Sequence, residues 1–276
     1  AFQSSCHVES HYYCIRVIDL AEQIGIPARS MVLDHLEHGV NVRDRAGLLL
    51  SPYVEAQDRL AQLHTDAGST FRAFFIGGGA YTLPRAWLSQ RPDTVIHVAE
   101  VDPAVTRMAQ SHMWLKADDR LTVVHADARR ALNAMQSGAF DVVVGDAFHD
   151  IAVPQHLVTS EFFSLVHDRL APRGIYLMNV VDHLERPRLV LSIVKSLETR
   201  FPVVEVWRSN WSGSRATFVI AGLRTATSVS RLRSAVTPGQ TFDRLSSGQI
   251  ARLAKTLEPI ELTDDYAPVD RLIAVR

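Results

Sequence analysis

Cysteine is nearly absent: Cys6 and Cys14 are the only two in 276 residues. Two thiols are too few for a disulfide framework, and although these could face each other across a hairpin, both are read as reduced. No run approaches the roughly 20 apolar residues that span a bilayer, and the first residues lack the basic-then-apolar pattern of a signal peptide. The chain itself is therefore expected to make no membrane contact. An excess of one charge is also missing. With 29 Lys+Arg against 30 Asp+Glu, the net charge of -1 draws the protein to neither nucleic acid nor anionic lipid. The basic pair Arg129 and Arg130 lies in a segment too short and too mixed in sign to serve as a nucleic-acid surface. His35, Glu37 and His38 resemble metal spacing, but no third ligand group is implied nearby, so no metal is expected. Repeats and low-complexity tracts are absent too.

What is present is 47% hydrophobic residues, enough for one large core or a large core with a small appended unit. The chain begins at Ala1 without a methionine, which suggests a processed product or an excised part of something longer. From Glu9 to about Asn41, short apolar runs separated by Gly25-Ile26-Pro27 and Gly39 read as strands joined by turns. Ser51-Pro52 then opens a segment with Tyr53, Val54, Ala56, Leu60 and Leu63 at helical spacing, the serine as cap and the proline in the first turn. This places a small β-strand domain at 1–50 and the main domain at 51–276.

Beyond that helix the period alternates. Ala73–Ile76, Val95–Val98, Leu121–Val124, Asp141–Val144 and Gly174–Met178 read as strands. Helices are predicted from Ala86, over Pro103–Met113 and Ala128–Met135, from about Ser160 to Leu170, and over Arg186–Thr199. Such alternation predicts an α/β fold with a parallel sheet of at least five strands. Val203–Val206 and Ala216–Ile220 are expected to add an antiparallel edge.

In an open parallel sheet, ligands lie beyond the carboxyl ends of the strands, so the residues that follow each apolar run carry the information. The first run ends in Gly77-Gly78-Gly79, which lets the backbone turn tightly and approach a ligand. The second ends in Glu100-Val101-Asp102, where an acid can accept from both hydroxyls of a ribose. The third is followed by Asp127-Ala128, an acid placed either to accept from an adenine amino group or to cap the next helix. The fourth ends in Gly145-Asp146-Ala147-Phe148-His149-Asp150, two carboxylates and an imidazole where a second substrate would lie. A carboxylate there can orient an amine and take its proton. The glycine turn continues Ala80-Tyr81-Thr82-Leu83-Pro84 rather than as Gly-x-Gly-x-x-Gly, which points to a sulfonium nucleoside more than to a dinucleotide.

These segments, Ile76-Gly77-Gly78-Gly79, Glu100-Val101-Asp102, Asp127-Ala128 and Asp141–Asp146, resemble the successive motifs of the spermidine synthases, the polyamine aminopropyltransferases. Glu9-Ser10 with Tyr12, Leu33-Asp34 and Tyr53-Val54-Glu55 are similar to that family's small β domain and tyrosine-x-glutamate helix. Gly77–Arg85, Asp146–Asp150 with Val153-Pro154 and His156-Leu157, and Thr263–Asp270 resemble bacterial spermidine-synthase-like domains, often fused behind membrane-spanning segments. The resemblance implies a Rossmann-like class I S-adenosylmethionine-dependent transferase sheet behind the small N-terminal β domain. It also implies decarboxylated S-adenosylmethionine, or S-adenosylmethionine, as co-substrate and a small-molecule amine such as putrescine as acceptor. Gly77, Gly78, Gly79, Glu100, Asp102, Asp127, Ala128 and Asp146 would hold the nucleoside, and Asp146, Asp150 and Tyr53 would form the reaction centre. A homodimer is expected, located in the cytoplasm or as the soluble domain of a larger membrane protein. Three positions depart from the family pattern: Ala80 stands where an aspartate usually follows the glycines, His38 stands for a glutamine, and Asp150 lies one place further from Asp146 than usual. An S-adenosylmethionine methyltransferase and a non-catalytic nucleoside- or polyamine-binding domain are the alternative readings.

Overall fold

The computed structural model describes residues 6–65, 71–148, 152–210 and 213–274. A small antiparallel sheet comes first, from β1 (Val8–Glu9), β2 (Cys14–Asp19), β3 (Ala28–Leu33) and β4 (Leu36–Val42), with the single-turn α1 (Ala21–Ile24) between β2 and β3. The chain continues through α2 (Pro52–His64), β5 (Phe71–Ile76), α3 (Thr82–Gln90), β6 (Thr94–Ala99), α4 (Pro103–His112) and β7 (Leu121–Val124). Then come α5 (Ala128–Asn133), β8 (Phe140–Gly145), α6 (Ser160–Arg169), β9 (Leu170–His183) and α7 (Arg188–Leu197). The last elements are β10 (Val203–Ser209), β11 (Arg215–Leu223), β12 (Arg231–Arg233), β13 (Thr241–Arg244), α8 (Ser247–Leu257) and α9 (Val269–Ile273).

The second sheet has nine strands in the order β12-β13-β10-β11-β9-β8-β5-β6-β7. Its pairs from β9 to β7 are parallel, as the alternation predicts. β10 and β11 pair antiparallel with each other, but they are not the edge: β13 and β12 extend the sheet beyond them. Side chains of central strands alternate between faces, and here both faces are covered. Phe75, Ile96, Val98, Val142 and Val144 join one core with α2, α3 and α4. Phe74, Ile76, Val143 and Phe140 join the other with α5, α6, α7 and α9. This two-sided burial is why the strands read as unbroken apolar runs. Trp87 of α3 fixes the first layer, meeting Phe71 edge-on at 4.7 Å and donating to Asp58 of α2 at 2.7 Å. The arrangement is a mixed α/β sheet covered by helices on both faces, with a small antiparallel sheet ahead of it.

One expectation is corrected. Cys6 and Cys14 are joined by a disulfide. Antiparallel pairing of Glu9 with Cys14 and of Val8 with Ile15 turns the chain back on itself and sets the two Cα atoms 5.3 Å apart, within bridging distance. Counting cysteines excluded a framework; it did not weigh a single hairpin bridge. Among the described residues no helix is long and apolar enough to cross a membrane. Closing so short a loop restricts the unfolded chain by roughly 2–3 kcal/mol. Reduction, or Cys14→Ser, is expected to lower the midpoint of urea unfolding correspondingly, and an unchanged midpoint would show that the bridge contributes no stability.

Candidate active site

The carboxyl ends of β5, β6, β7 and β8 open onto a cavity of about 410 Å³. Its floor is the glycine turn. Gly77 has φ of +93°, a left-handed conformation that a side chain would strain, and a Cβ there would lie 2.8 Å from the Asp146 carbonyl oxygen. At Gly78 a Cβ would lie 2.6 Å from the Tyr81 ring. Tyr81 itself is fully buried in a left-handed conformation and starts α3 four residues earlier than the sequence suggests. The turn is therefore set by packing beneath it as well as by backbone freedom.

Glu100 ties this turn to β6. One carboxylate oxygen accepts from the Gly78 N–H at 2.8 Å and the Gly79 N–H at 3.4 Å, and the other accepts from the Asp102 N–H at 2.9 Å. Burial pushes its pKa up, against these backbone bonds that favour the ionised form. Asp102 does not reach the cavity. It is buried and caps α4 by accepting from the Ala104 N–H at 2.8 Å. Of the two roles weighed for Asp127 the structure shows the cap: one oxygen accepts from the Arg130 N–H at the start of α5, and the other lies 2.7 Å from His156 Nε2 at the cavity wall. Burial acts to raise its pKa, but the Arg130 N–H and His156 prevail and hold it low.

Asp146, immediately beyond β8, lies at the cavity's inner end. Tyr53 of α2 donates to its Oδ2 at 3.2 Å, and Asn179 of β9 donates to its Oδ1 at 3.0 Å. Burial pushes its pKa up to about 6, with the two donors opposing that shift. The Tyr53 hydroxyl is held protonated, its pKa raised by burial and by Asp146 beside it. Gly77, Gly79, Ala128 and Asp146 thus meet around one space, with Tyr53 behind Asp146. His149 and Asp150 lie outside the described residues.

Several groups at this cavity were not assigned a site role from the residues alone. Tyr13 closes one side by donating to the Phe148 carbonyl at 3.0 Å. His38 packs edge-on against Phe148, 6.1 Å between ring centres, and burial lowers its pKa to about 4, so it is neutral at physiological pH. Ala80 is fully buried; its N–H donates to the His38 carbonyl and its own carbonyl accepts from Asn41. Asp270 and Val269 enter from the end of the chain. They are placed there because Asp264 pairs with Arg129 at 2.6 Å and accepts from Thr159 at 2.7 Å. Asn179 had a visible signal, since it directly follows the apolar run ending at Met178. Asp270 had none local to the sheet. Among the described residues no cluster of His, Cys, Asp and Glu forms a metal site.

The cavity wall carries Glu100, Asp127, Asp146 and Asp270, and among its described lining residues there is neither Lys nor Arg. Such a wall favours a positively charged occupant, and a carboxylate lifted towards neutrality beside it is suited to exchange a proton.

The chain is 34% identical over 147 residues to the N-terminal histidine N-methyltransferase of Emericella nidulans, a match covering 52% of this chain and 25% of that protein. It is 26% identical over 110 residues to the polyamine aminopropyltransferase of Vibrio vulnificus, covering 39% of this chain and 37% of that protein. The matched segments thus span well under half of either relative. The solved structure described as a probable spermidine synthase from Corynebacterium glutamicum superposes with a TM-score of 0.76 at 20% identity, covering 95% of this chain and 97% of that one, and shows the shared fold. The spermine/spermidine synthase domain model matches residues 73–210, half of the chain and the stretch that supplies Gly77, Glu100, Asp127, Asp146 and Asn179. The chain belongs to the spermine/spermidine synthase domain family.

Proposed function

We propose that this chain transfers an aminopropyl group from decarboxylated S-adenosylmethionine to an amine such as putrescine, releasing methylthioadenosine. The observation that carries this reading is the cavity wall with four carboxylates and no Lys or Arg among its described residues. The co-substrate's sulfonium and terminal ammonium and the acceptor amine are all cationic before reaction, so such a wall attracts each of them. A carboxylated tail would need a cation or free N–H groups, whereas the Gly78 and Gly79 N–H groups already face Glu100.

In this reading Glu100 accepts from the ribose hydroxyls, Asp127 faces the adenine amino group, and the backbone at Gly77 and Gly79 with Ala128 lies against the nucleoside. Asp146 takes the proton from the acceptor ammonium, freeing the nitrogen lone pair. That pair attacks the methylene carbon beside sulfur; the carbon–sulfur bond breaks, its electrons neutralise the sulfonium, and the thioether departs. Tyr53 orients Asp146. Asp150 is assigned to shaping the acceptor pocket by its place in the sequence. Asp102 is withdrawn from the nucleoside set and kept as a helix cap.

A second reading, S-adenosylmethionine methyltransferase, is favoured by the 34% identity to a histidine N-methyltransferase. Ala80, buried where the resembled family has an aspartate, removes one group that would favour the decarboxylated co-substrate. The disulfide bears on location, because such a bond persists in an oxidising compartment more readily than in a reducing cytosol.

Mass analysis of reactions with each co-substrate and a panel of amines separates the readings. An aminopropylated amine with methylthioadenosine is expected; a methylated product would establish the second reading, and no product with either would favour a binding domain. In the productive reaction Asp146→Asn should lower kcat by about 10²–10⁴-fold with the fold retained; unchanged turnover would remove Asp146 from the chemistry. Since the base must be ionised and Asp146 titrates at about 6, kcat/KM is expected to rise with pH through about 6 and level above it. A limb near the ordinary carboxylate value of roughly 4 would contradict the assignment.

A further inference from the structure

β9 sends one polar side chain into the layer beside Asp146. The parallel register that opposes Gly145 to Met178 sets the next two residues, Asp146 and Asn179, side by side. Asn179 is 4% exposed, and its strand neighbours Met178 and Val180 are buried apolar residues. Its Nδ2 donates to Asp146 Oδ1 at 3.0 Å, while its Oδ1 is buried with no partner among the described residues. The amide is assigned in the orientation that bonds, because the reverse would set two acceptors against each other.

An unsatisfied buried acceptor destabilises a fold, and a leucine of similar shape would remove it. An amide retained here, with its one described hydrogen bond made to Asp146, is explained by its effect on that carboxylate. Tyr53 supplies the matching donor from α2, so each oxygen of Asp146 receives one hydrogen bond, the two donors coming from different elements. One lone pair per oxygen stays free for a substrate. The titratable groups facing this space among the described residues are Tyr53 on α2, Tyr12 and Tyr13 ahead of β2, His38 on β4, Glu100 after β6, Asp127 and His156 at the outer wall, and Asp270 on α9. Of these only Tyr53 bonds to Asp146, so no ion pair competes with the two donors among the described residues.

We propose that Asn179 is a positioning residue, which together with Tyr53 fixes the plane of the Asp146 carboxylate and favours its ionised form as the acceptor of the amine's proton. The inference rests on the reading of Asp146 as that acceptor, and its first test does not depend on turnover. The Asp146 carboxyl is followed by carbon-13 NMR across pH in the wild-type protein, in Asn179→Leu and in Asn179→Ser, whose hydroxyl is too short to span the gap. A donor to the carboxylate favours the charged form, so losing it should raise the proton affinity of Asp146 by about tenfold, moving its titration above that of the wild type. Tyr53→Phe should shift it in the same direction, and combining it with Asn179→Leu should shift it further. If one Asn179 variant fails to fold, the other supplies the comparison.

An Asp146 titration unchanged in a folded Asn179 variant overturns the proposal. In turnover assays the ascending limb of kcat/KM should move to higher pH in Asn179→Leu, with most of the rate recovered on the alkaline plateau. A pH-independent loss would mean that Asn179 serves the structure alone and would equally overturn the proposal. If the wild type forms no aminopropylated product while the NMR shift is present, the placement of the carboxylate by Asn179 stands and the assigned reaction falls.

Discussion

A carboxylate at the carboxyl end of a central strand, largely withdrawn from solvent and with no cation against it among the described residues, is the constraint on which the site depends. Taking Asp146 out of water costs several kcal/mol unless hydrogen bonds replace the solvent, and the fold supplies two, from Tyr53 on α2 and Asn179 on β9. Those donors come from elements far apart in sequence, so the small sheet, the helix that follows it and the central strands must all be in place before the group is stabilised. Burial still wins in part, leaving a carboxylate that titrates at about 6. A group so placed is ionised at neutral pH and close enough to its midpoint to take and release a proton.

The glycine turn serves the same end. Gly77 lies against the Asp146 backbone so closely that no side chain fits, and Glu100 holds the N–H groups of Gly78 and Gly79. The glycine turn, Glu100 and Asp146 are therefore packed together as one unit at the carboxyl ends of the central strands. Around it, Tyr13 from the disulfide-closed hairpin and Asp270 from the end of the chain complete the wall. The resulting pocket is acidic in a protein of nearly balanced total charge, so its charge comes from local placement and owes nothing to a global field.

The central sheet was legible because buried parallel strands must be apolar throughout and are punctuated by their ligand-end residues; Gly77, Glu100, Asp127 and Asp146 stand out for that reason. Less legible were features whose meaning depends on distant partners. Asn179 lies within β9, just after the apolar run ending at Met178, yet an amide there has no significance until β8 is known to lie beside it. Asp102 looks equivalent to Glu100 in the sequence, but the strand has ended and its side chain turns back to cap α4. The Cys6–Cys14 bridge follows from hairpin register, which a count of cysteines does not contain. β12 and β13 are too short to announce themselves, although the Ser246–Gln249 capping box ahead of α8 was a readable start signal.

The central claim is that an acidic pocket with no Lys or Arg among its described lining residues selects a co-substrate whose tail ends in an ammonium alone. Titration calorimetry with decarboxylated S-adenosylmethionine and with S-adenosylmethionine tests it most directly. The decarboxylated form is expected to bind at least tenfold more tightly, about 1.4 kcal/mol, from removal of one unpaired carboxylate. Equal affinity, or preference for the carboxylated form, would contradict the account.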